Sequence, residues 1–199
     1  LIEKVGKMIG KQCKTVGVHL NFSPVVDINT NPKNPIIGNR SFGESKENVA
    51  NKSIWYMNGL QSQNILSTAK HFPGHGDTSK DSHKTLPKIK HKRKKILKTE
   101  LYPYKKLIEN GLPAIMVAHL EVPSLEKEKN LPSSLSKSII KILKKNLKFN
   151  GLIITDALNM SGAKNYNENN IDLMAFLAGN DILLMSNDPI IGISKIKEA

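Results

Sequence analysis

The chain has 199 residues, a formal net charge of +13, 39% hydrophobic residues and 24% charged residues. This composition excludes a disordered or fibrous protein and predicts a globular chain of one domain or slightly more. No segment approaches the roughly 18 consecutive apolar residues of a membrane helix, so we expect no membrane span. Cys13 is the single cysteine, which excludes an internal disulfide framework and leaves the compartment open.

The positive charge raises the question of a nucleic-acid partner. Lysine is densest in residues 88–95, but Arg40 and Arg93 are the only arginines and aromatic residues make up 5% of the chain. Proteins that bind nucleic acids favour arginine forks and stacked aromatic side chains. We therefore interpret the lysine excess as a compositional feature of solvated surfaces and expect no nucleic-acid partner.

Apolar periodicity divides the chain into alternating helices and short buried strands. Five segments have a helical pattern: residues 1–14, 47–63, 92–109, 136–147 and 171–177. Five apolar runs are typical of strands: residues 18–22, 65–69, 114–118, 152–155 and 181–185. Ser45 is expected to cap the second helix and Ser134 or Ser136 the fourth, whereas Pro103 should disturb the third.

This order predicts a parallel sheet with crossover helices, because continuous apolar runs suit strands that are buried on both faces. A doubly wound sheet and a (β/α)8 barrel both satisfy the pattern. Polar residues follow strand after strand: Asp27, Lys70, His71, His119, Asp156, Ser186 and Asn187. No glycine-rich phosphate loop marks a single switch point, so we favour an α/β fold of the TIM-barrel type with about five of the eight β/α units.

The chain begins at Leu1 rather than Met and stops within a predicted helix, so we expect a piece of a longer protein. Residues 1–199 would form one partial barrel without the first strands and the last strand, followed or preceded by further domains. Because open sheet edges would remain unpaired, we expect this piece not to be an active, stable monomer by itself. Any targeting segment would lie outside it, and the localisation stays open.

The segment AKHFPGHGDTSKDSH at residues 69–83 is the richest in chemistry, with three histidines and two aspartates. Its glycines and proline indicate a loop, which is costly to keep unless function uses it. Asp81 and His83 are two residues apart, so the carboxylate can meet one ring nitrogen of the histidine in a turn. Such a pairing fixes the tautomer and raises the basicity of the imidazole, as a general acid/base requires.

A second segment, NGLIITDALNM at residues 150–160, ends a predicted strand in Asp156. An aspartate at the carboxyl end of a barrel strand is a candidate nucleophile or metal ligand. By itself, an aspartate in this position is more often a helix cap.

Five motifs together resemble glycoside hydrolase family 3, and within it the β-N-acetylhexosaminidases. The most specific is KHFPGHGDTSKDSH at residues 70–83. The others are FSPVVDI at 22–28, IGNRSFG at 37–43, AH at 118–119 and TDALNM at 155–160. They follow the family order over nearly the whole chain.

The resemblance implies a retaining mechanism in two steps. Asp156 would attack the anomeric carbon, His83 would act as the acid and then as the base, and Asp81 would hold His83. Most retaining glycosidases use two carboxylates instead, whereas a histidine with its ordinary pKa of about 6.5 can serve both steps near neutral pH. No metal or organic cofactor is implied.

The same resemblance implies a carbohydrate partner with a terminal β-linked N-acetylglucosamine, from peptidoglycan fragments. Arg40, Lys70 and His71 would hold the sugar through its hydroxyl and N-acetyl groups, since charged donors bind oxygen atoms well. The sequence departs from the family in two places. A motif that contributes an Asp and an Arg would precede Leu1, and TDA at residues 155–157 replaces the commoner Ser-Asp-Asp.

Other polar residues near these motifs have structural interpretations. We expect Asp27 to hold a loop near the site, and His75 and Asp77 to shape the catalytic loop rather than react. His119 either lines the pocket or stabilises its floor, and His91 is interpreted as a surface residue.

Three alternatives remain open. A metal-dependent barrel hydrolase would draw on the side chains that can bind zinc: His71, His75, Asp77, Asp81, His83 and Asp156. Pro73 and Gly74 exclude the helix that a His-x3-His zinc site requires. A phosphorylase would use phosphate in the second step, because a histidine acid/base does not repel it. A non-catalytic carbohydrate-binding relative would have no chemical need for Asp81, His83 and Asp156 together.

Overall fold

A computed structural model describes residues 1–78 and 85–199. Within them, four parallel strands form one sheet in the order β1-β2-β3-β4. The strands are β1 (Leu20–Asn21), β2 (Leu66–Phe72), β3 (Ala114–Val117) and β4 (Leu152–Thr155). Sequential order without reversal is the arrangement of a TIM barrel and not of a doubly wound sheet. The predicted TIM-type α/β fold is therefore confirmed, as an open sheet.

Helices connect the strands and cover one face of the sheet. Those of the α type are α1 (Ile2–Thr15), α2 (Lys46–Gln61), α3 (Arg93–Lys95), α4 (Tyr102–Glu109), α5 (Lys137–Lys141), α6 (Ser161–Lys164), α7 (Ile171–Ala178) and α8 (Pro189–Glu198). Wider π turns continue α3 over Ile96–Glu100 and α5 over Ile142–Asn146, and short 3₁₀ turns occupy Gly38–Arg40, Ser133–Leu135 and Glu168–Asn170. No helix in the described part of the chain is both long enough and apolar enough to cross a bilayer.

Three predicted strands differ from the structure. The strand expected at residues 18–22 is reduced to Leu20–Asn21. The strand expected at residues 65–69 runs on to Phe72, so Lys70 and His71 lie within β2 and not after it. The strand expected at residues 181–185 is reduced to a single bridge between Ile182 and Ile154 of β4. It still lies beside β4, because the Thr155 N–H donates to the Ile182 carbonyl at 3.0 Å.

The helix boundaries follow local chemistry. Ser45 caps α2 by accepting from the Asn48 N–H at 3.4 Å, and Ser136, not Ser134, caps α5 by accepting from the Ile139 N–H at 3.1 Å. The predicted helix at 92–109 is interrupted at Leu101, and α4 restarts with Pro103 in its first turn, where a proline needs no N–H partner.

The main hydrophobic core lies between the sheet and the helices that precede and follow β3. Phe72 of β2 and Tyr104 of α4 are fully buried and meet edge to face, with ring centroids 5.2 Å apart. Ile115 and Ile153 extend the same core along β3 and β4. These strands are buried on both faces, as their continuous apolar runs predict.

Helices α1 and α2 touch backbone to backbone at Gly6 and Gly59. A Cβ on Gly59 would lie 2.3 Å from the Glu3 carbonyl oxygen and 2.6 Å from the Lys7 nitrogen. Real Cβ atoms do not approach backbone this closely, so the two helices cross only because glycine occupies the contact.

We predict that Gly59→Ala destabilises the domain by about 1–3 kcal/mol, because overpacking forces α1 away from α2. Helix propensity alone predicts the opposite sign, since alanine is favoured over glycine by about 1 kcal/mol in a helix. The urea midpoint of the full-length protein measures the result, with Asn51→Ala on the exposed side of α2 as control. A midpoint that rises in Gly59→Ala would contradict the described helix contact.

Candidate active site

The carboxyl ends of the parallel strands gather the polar residues of the motifs at one edge of the sheet. Asp27 follows β1, Lys70 and His71 lie near the end of β2, His119 follows β3 and Asp156 follows β4. In barrels of this type, the loops at this edge form the active site. The candidate site is therefore defined by strand ends from all four strands of the sheet.

The Asp27 carboxylate is the hub of this edge. It is almost completely buried and accepts a hydrogen bond from His71 Nδ1 at 2.7 Å. It also accepts from the backbone N–H of His71 at 3.2 Å and from that of His75 at 2.6 Å. Asp27 thus holds both ends of the segment from His71 to His75, which confirms the interpretation that it fixes a loop.

Electrostatics keep Asp27 ionised. Burial raises the pKa of its carboxyl, but the His71 charge, the His71 hydrogen bond and the contacts to His75 outweigh burial and lower the pKa below its usual value. An ionised carboxylate only accepts hydrogen bonds, so His71 donates through Nδ1–H and its Nε2 points away from Asp27.

The three predicted sugar-binding residues lie around this hub. His71 Nε2 is 3.5 Å from Arg40 Nη2, and Arg40 also donates to the Ile36 carbonyl at 3.2 Å. Burial lowers the pKa of Lys70 and the Arg40 charge lowers it further, whereas the carboxylates of Asp156 and Asp27 act in the opposite direction. Arg40, Lys70, Asp27 and Asp156 therefore share one electrostatic environment.

Asp156 is held by its backbone and leaves part of its side chain exposed. Its N–H donates to the Val117 carbonyl of β3 at 2.8 Å, and its Oδ1 accepts from the Ala157 N–H at 2.9 Å. Because both bonds involve backbone groups, they fix the position of the carboxylate beyond the end of β4, where it acts on the charge of Lys70. This arrangement suits a carboxylate that must meet a substrate.

His119 stabilises the floor of the site, one of its two expected roles. It is fully buried, its Nε2 is 2.9 Å from the Ala157 carbonyl, and its Nδ1 is 2.7 Å from Ser134 Oγ. A carbonyl can only accept, so Nε2 carries the proton and Nδ1 accepts from the Ser134 hydroxyl. His119 therefore anchors the turn that begins at Asp156.

Residues 73–78 form a compact loop over the end of β1. His75 is buried, with Nδ1 2.6 Å from Thr78 Oγ1, and its carbonyl accepts from Asn34 Nδ2 at 2.8 Å. A Cβ on Gly76 would lie 1.8 Å from the Ile28 carbonyl oxygen, so only glycine fits there. Burial lowers the pKa of His75 and outweighs the raising effect of Asp27, which keeps its imidazole neutral near pH 7.

Asp77 and His91 form a contact that the sequence did not indicate. His91 Nε2 lies 2.5 Å from Asp77 Oδ2, and Thr30 Oγ1 donates to Asp77 Oδ1 at 3.3 Å. His91 is partly exposed, as a surface residue is expected to be, and it also ties the loop to the segment before α3. Asp77 shapes the loop, as expected. Asn34 was also missed, since no motif marks it.

The predicted acid/base residue His83 and its partner Asp81 lie outside the described residues. The structure therefore brings together Asp27, Arg40, Lys70, His71 and Asp156, and the dyad stays a prediction. Within residues 1–78 and 85–199, no three His, Cys, Asp or Glu side chains are arranged to hold a metal ion. His71 and His75 instead make hydrogen bonds that build the loop.

We predict that Asp27→Asn destabilises the protein by about 3–5 kcal/mol, because it removes the negative charge that the buried His71 ring and the N–H groups of His71 and His75 bind. The asparagine amide would also set a donor against the N–H groups of His71 and His75. Since the pKa of Asp27 is lowered, its contribution is present above pH 4 and is lost as pH falls through the folded-state pKa.

Urea unfolding at pH 7 and at pH 3 measures both effects on Asp27→Asn. Glu44→Gln removes an exposed carboxylate nearby and is the matched control. Equal stability of the wild type and Asp27→Asn at pH 7 would contradict the role of Asp27 as the hub.

Comparison with known proteins places this geometry in a family. Residues 1–199 match the glycosyl hydrolase family 3 N-terminal domain. Beta-hexosaminidase A of Pseudoalteromonas piscicida is 38% identical over 194 residues, which cover 92% of this chain and 32% of that protein. The solved structure of a family 3 beta-N-acetylglucosaminidase from a Paenibacillus species superimposes with a TM-score of 0.92 at 36% identity, covering 98% of this chain and 38% of that chain.

A solved beta-glucoside phosphorylase has a TM-score of 0.94 at 29% identity, covering 99% of this chain and 37% of that chain. The chain thus spans about a third of the length of these three relatives. The match to the family extends over the whole chain. The chain belongs to glycosyl hydrolase family 3 and matches the N-terminal domain of that family.

Proposed function

We propose that this chain supplies the catalytic residues of a retaining β-N-acetylhexosaminidase. The observation that carries the proposal is the placement of Asp156 beyond the end of β4, in the electrostatic environment of Lys70 and Arg40. A carboxylate held by backbone bonds can attack a carbon atom, while the cations beside it can hold the oxygen atoms of a sugar. Such an edge suits a substrate rich in hydroxyl groups.

In the first step, an Asp156 oxygen attacks the anomeric carbon and the bond from that carbon to the leaving oxygen breaks. His83 gives its proton to the leaving oxygen, so the aglycone departs as a neutral alcohol. Asp81 orients the His83 ring and stabilises its protonated form. The product of this step is a glycosyl ester of Asp156.

In the second step, a water molecule takes the place of the aglycone. His83 now accepts a proton from that water, whose oxygen attacks the anomeric carbon while the bond to Asp156 breaks. The acid of the first step is therefore the base of the second. Two displacements on one carbon retain the β configuration.

Arg40, Lys70 and His71 are proposed to hold the sugar. Asp27 fixes His71 through Nδ1, which leaves Nε2 directed toward the Arg40 side of the site. The three side chains thus present hydrogen-bonding groups that are positioned before the substrate arrives. Preorganised donors of this kind favour binding because less order is lost on association.

The sugar is proposed to be a terminal β-linked N-acetylglucosamine, drawn from peptidoglycan fragments. Support comes from the relatives, which are named beta-hexosaminidase and beta-N-acetylglucosaminidase. Phosphorolysis is the second candidate, favoured by the structural likeness to a beta-glucoside phosphorylase. Both reactions share the first step and differ only in whether water or phosphate attacks the ester.

We predict that the full-length protein releases chromophore from 4-nitrophenyl N-acetyl-β-glucosaminide. Asp156→Ala should lower kcat by several orders of magnitude because it removes the nucleophile, and His83→Ala should lower it by about 10²–10⁴-fold. Proton NMR of the first product should show the β anomer, and the same assay in phosphate buffer should reveal any sugar 1-phosphate.

Asp188→Asn, which alters an exposed cap of α8, is the control for the aspartate substitution. No turnover by folded wild-type protein, or unchanged turnover in Asp156→Ala, would contradict the proposed reaction. An α anomer as first product would contradict retention. Sugar 1-phosphate in place of free sugar would show that phosphate, and not water, attacks in the second step.

A further inference from the structure

Glu100 is a buried acid that the proposed reaction does not use. It ends the π turn between α3 and α4 and is 4% exposed. Neither of its carboxyl oxygens has a hydrogen-bond partner among the described residues. A buried carboxyl without partners is stable only in its neutral form, because an isolated charge is costly to remove from water.

This carboxyl lies directly against the loop of residues 73–78, called here the catalytic loop. A Cβ on Gly74 would be 3.0 Å from Glu100 Cβ and 3.1 Å from Glu100 Oε2. Gly74 lies between His71 and His75, the two residues whose N–H groups Asp27 holds. One side of the loop therefore packs on Glu100 at Gly74.

The charged groups around Glu100 oppose its ionisation. Burial raises its pKa to about 7; the carboxylates of Asp27 and Asp77 also raise it, and only Lys95, one turn earlier, lowers it. On the α4 side lies the buried hydroxyl of Tyr104, which also lacks a partner within the described chain. The charges that act on it come from Asp27, Asp77 and Lys95. His91 contacts both Asp77 and Lys95, and His75 is buried in the loop next to Gly74.

We propose that Glu100 is a positioning residue of the catalytic loop, which keeps its active arrangement only while Glu100 is protonated. An ionised Glu100 would place an unpaired charge against Gly74 and within the electrostatic influence of the Asp27 carboxylate. A displacement of the loop would admit water to this charge, whereas on the other side Tyr104 is fully buried and packed against Phe72. The loop carries His71 at its start and is followed by Asp81 and His83, so one displacement disturbs sugar binding and proton transfer together.

The activity test rests on the proposed function and compares pH profiles of kcat/KM on 4-nitrophenyl N-acetyl-β-glucosaminide. In the full-length wild type, kcat/KM should fall about a hundredfold per pH unit well above pH 7, because Glu100, with its pKa of about 7, and the proposed acid His83 both lose a proton. Glu100→Gln keeps the shape and cannot ionise, so only the loss of the His83 proton should remain and the limb should fall about tenfold per pH unit, while activity at pH 6 is retained. Glu109→Gln, an exposed acid at the end of α4, should leave the profile unchanged.

A stability test does not depend on turnover. Because the pKa of Glu100 is raised, the folded state binds more protons than the unfolded state between the ordinary pKa of 4.5 and about 7. Wild-type stability from this group is therefore full below pH 4.5 and is lost as pH rises to about 7. The difference in Tm between Glu100→Gln and wild type should grow across that window.

Three outcomes would overturn the proposal: an alkaline limb whose steepness Glu100→Gln leaves unchanged, a Tm difference that does not change with pH, or equal effects of Glu109→Gln. Should Glu100→Gln fail to fold, Glu100→Met supplies a second neutral side chain of similar length for both tests. Absence of turnover in every protein would count against the proposed reaction alone, because the Tm comparison still decides the role of Glu100.

Discussion

The buried carboxylate of Asp27 is the interaction on which the rest of this site depends. One side chain after β1 accepts hydrogen bonds from the ring and backbone of His71 and from the backbone of His75. It thereby joins the end of β2 to the loop that follows and sets the tautomer of His71. The hydrogen bonds are strong because they are charged and buried, and the charge is tolerated because they satisfy it.

The site is organised so that the groups directed at the substrate rest on groups that never meet it. His71 rests on Asp27, the Asp156 turn rests on His119, and the loop rests on His75, Asp77 and Glu100 below. Most of these supporting residues are buried, and Asp77 is held by its contact with His91. The sheet supplies the common edge, and these supports convert that edge into fixed positions for the side chains that would bind and react.

Much of this arrangement could be predicted from the sequence, because motifs and apolar periods are local. The parallel sheet and the polar strand ends follow from residues that lie close together in the chain. A structural role for Asp27, His75 and Asp77 was also expected, although Asp27 acts on residues 44 and 48 positions away. The pairing of His91 with Asp77 could not, because it joins separate segments without a motif. Nor could the burial of Glu100, since an acid in an amphipathic helix is normally exposed. The length of β2 was misjudged because charged residues ended the apolar run at Ala69.

The hydrogen bond from Ser134 to His119 has a consequence for how this family of sites can diversify. Ser134 belongs to a 3₁₀ turn in the connection between β3 and α5, far along the chain from the aspartate whose turn it steadies. Variation in that connection would tilt the imidazole and so shift the Asp156 carboxylate, the proposed nucleophile, while the residues proposed to hold the sugar stay the same. Substitutions in this connection would therefore change the turnover rate without changing the residues that select the substrate.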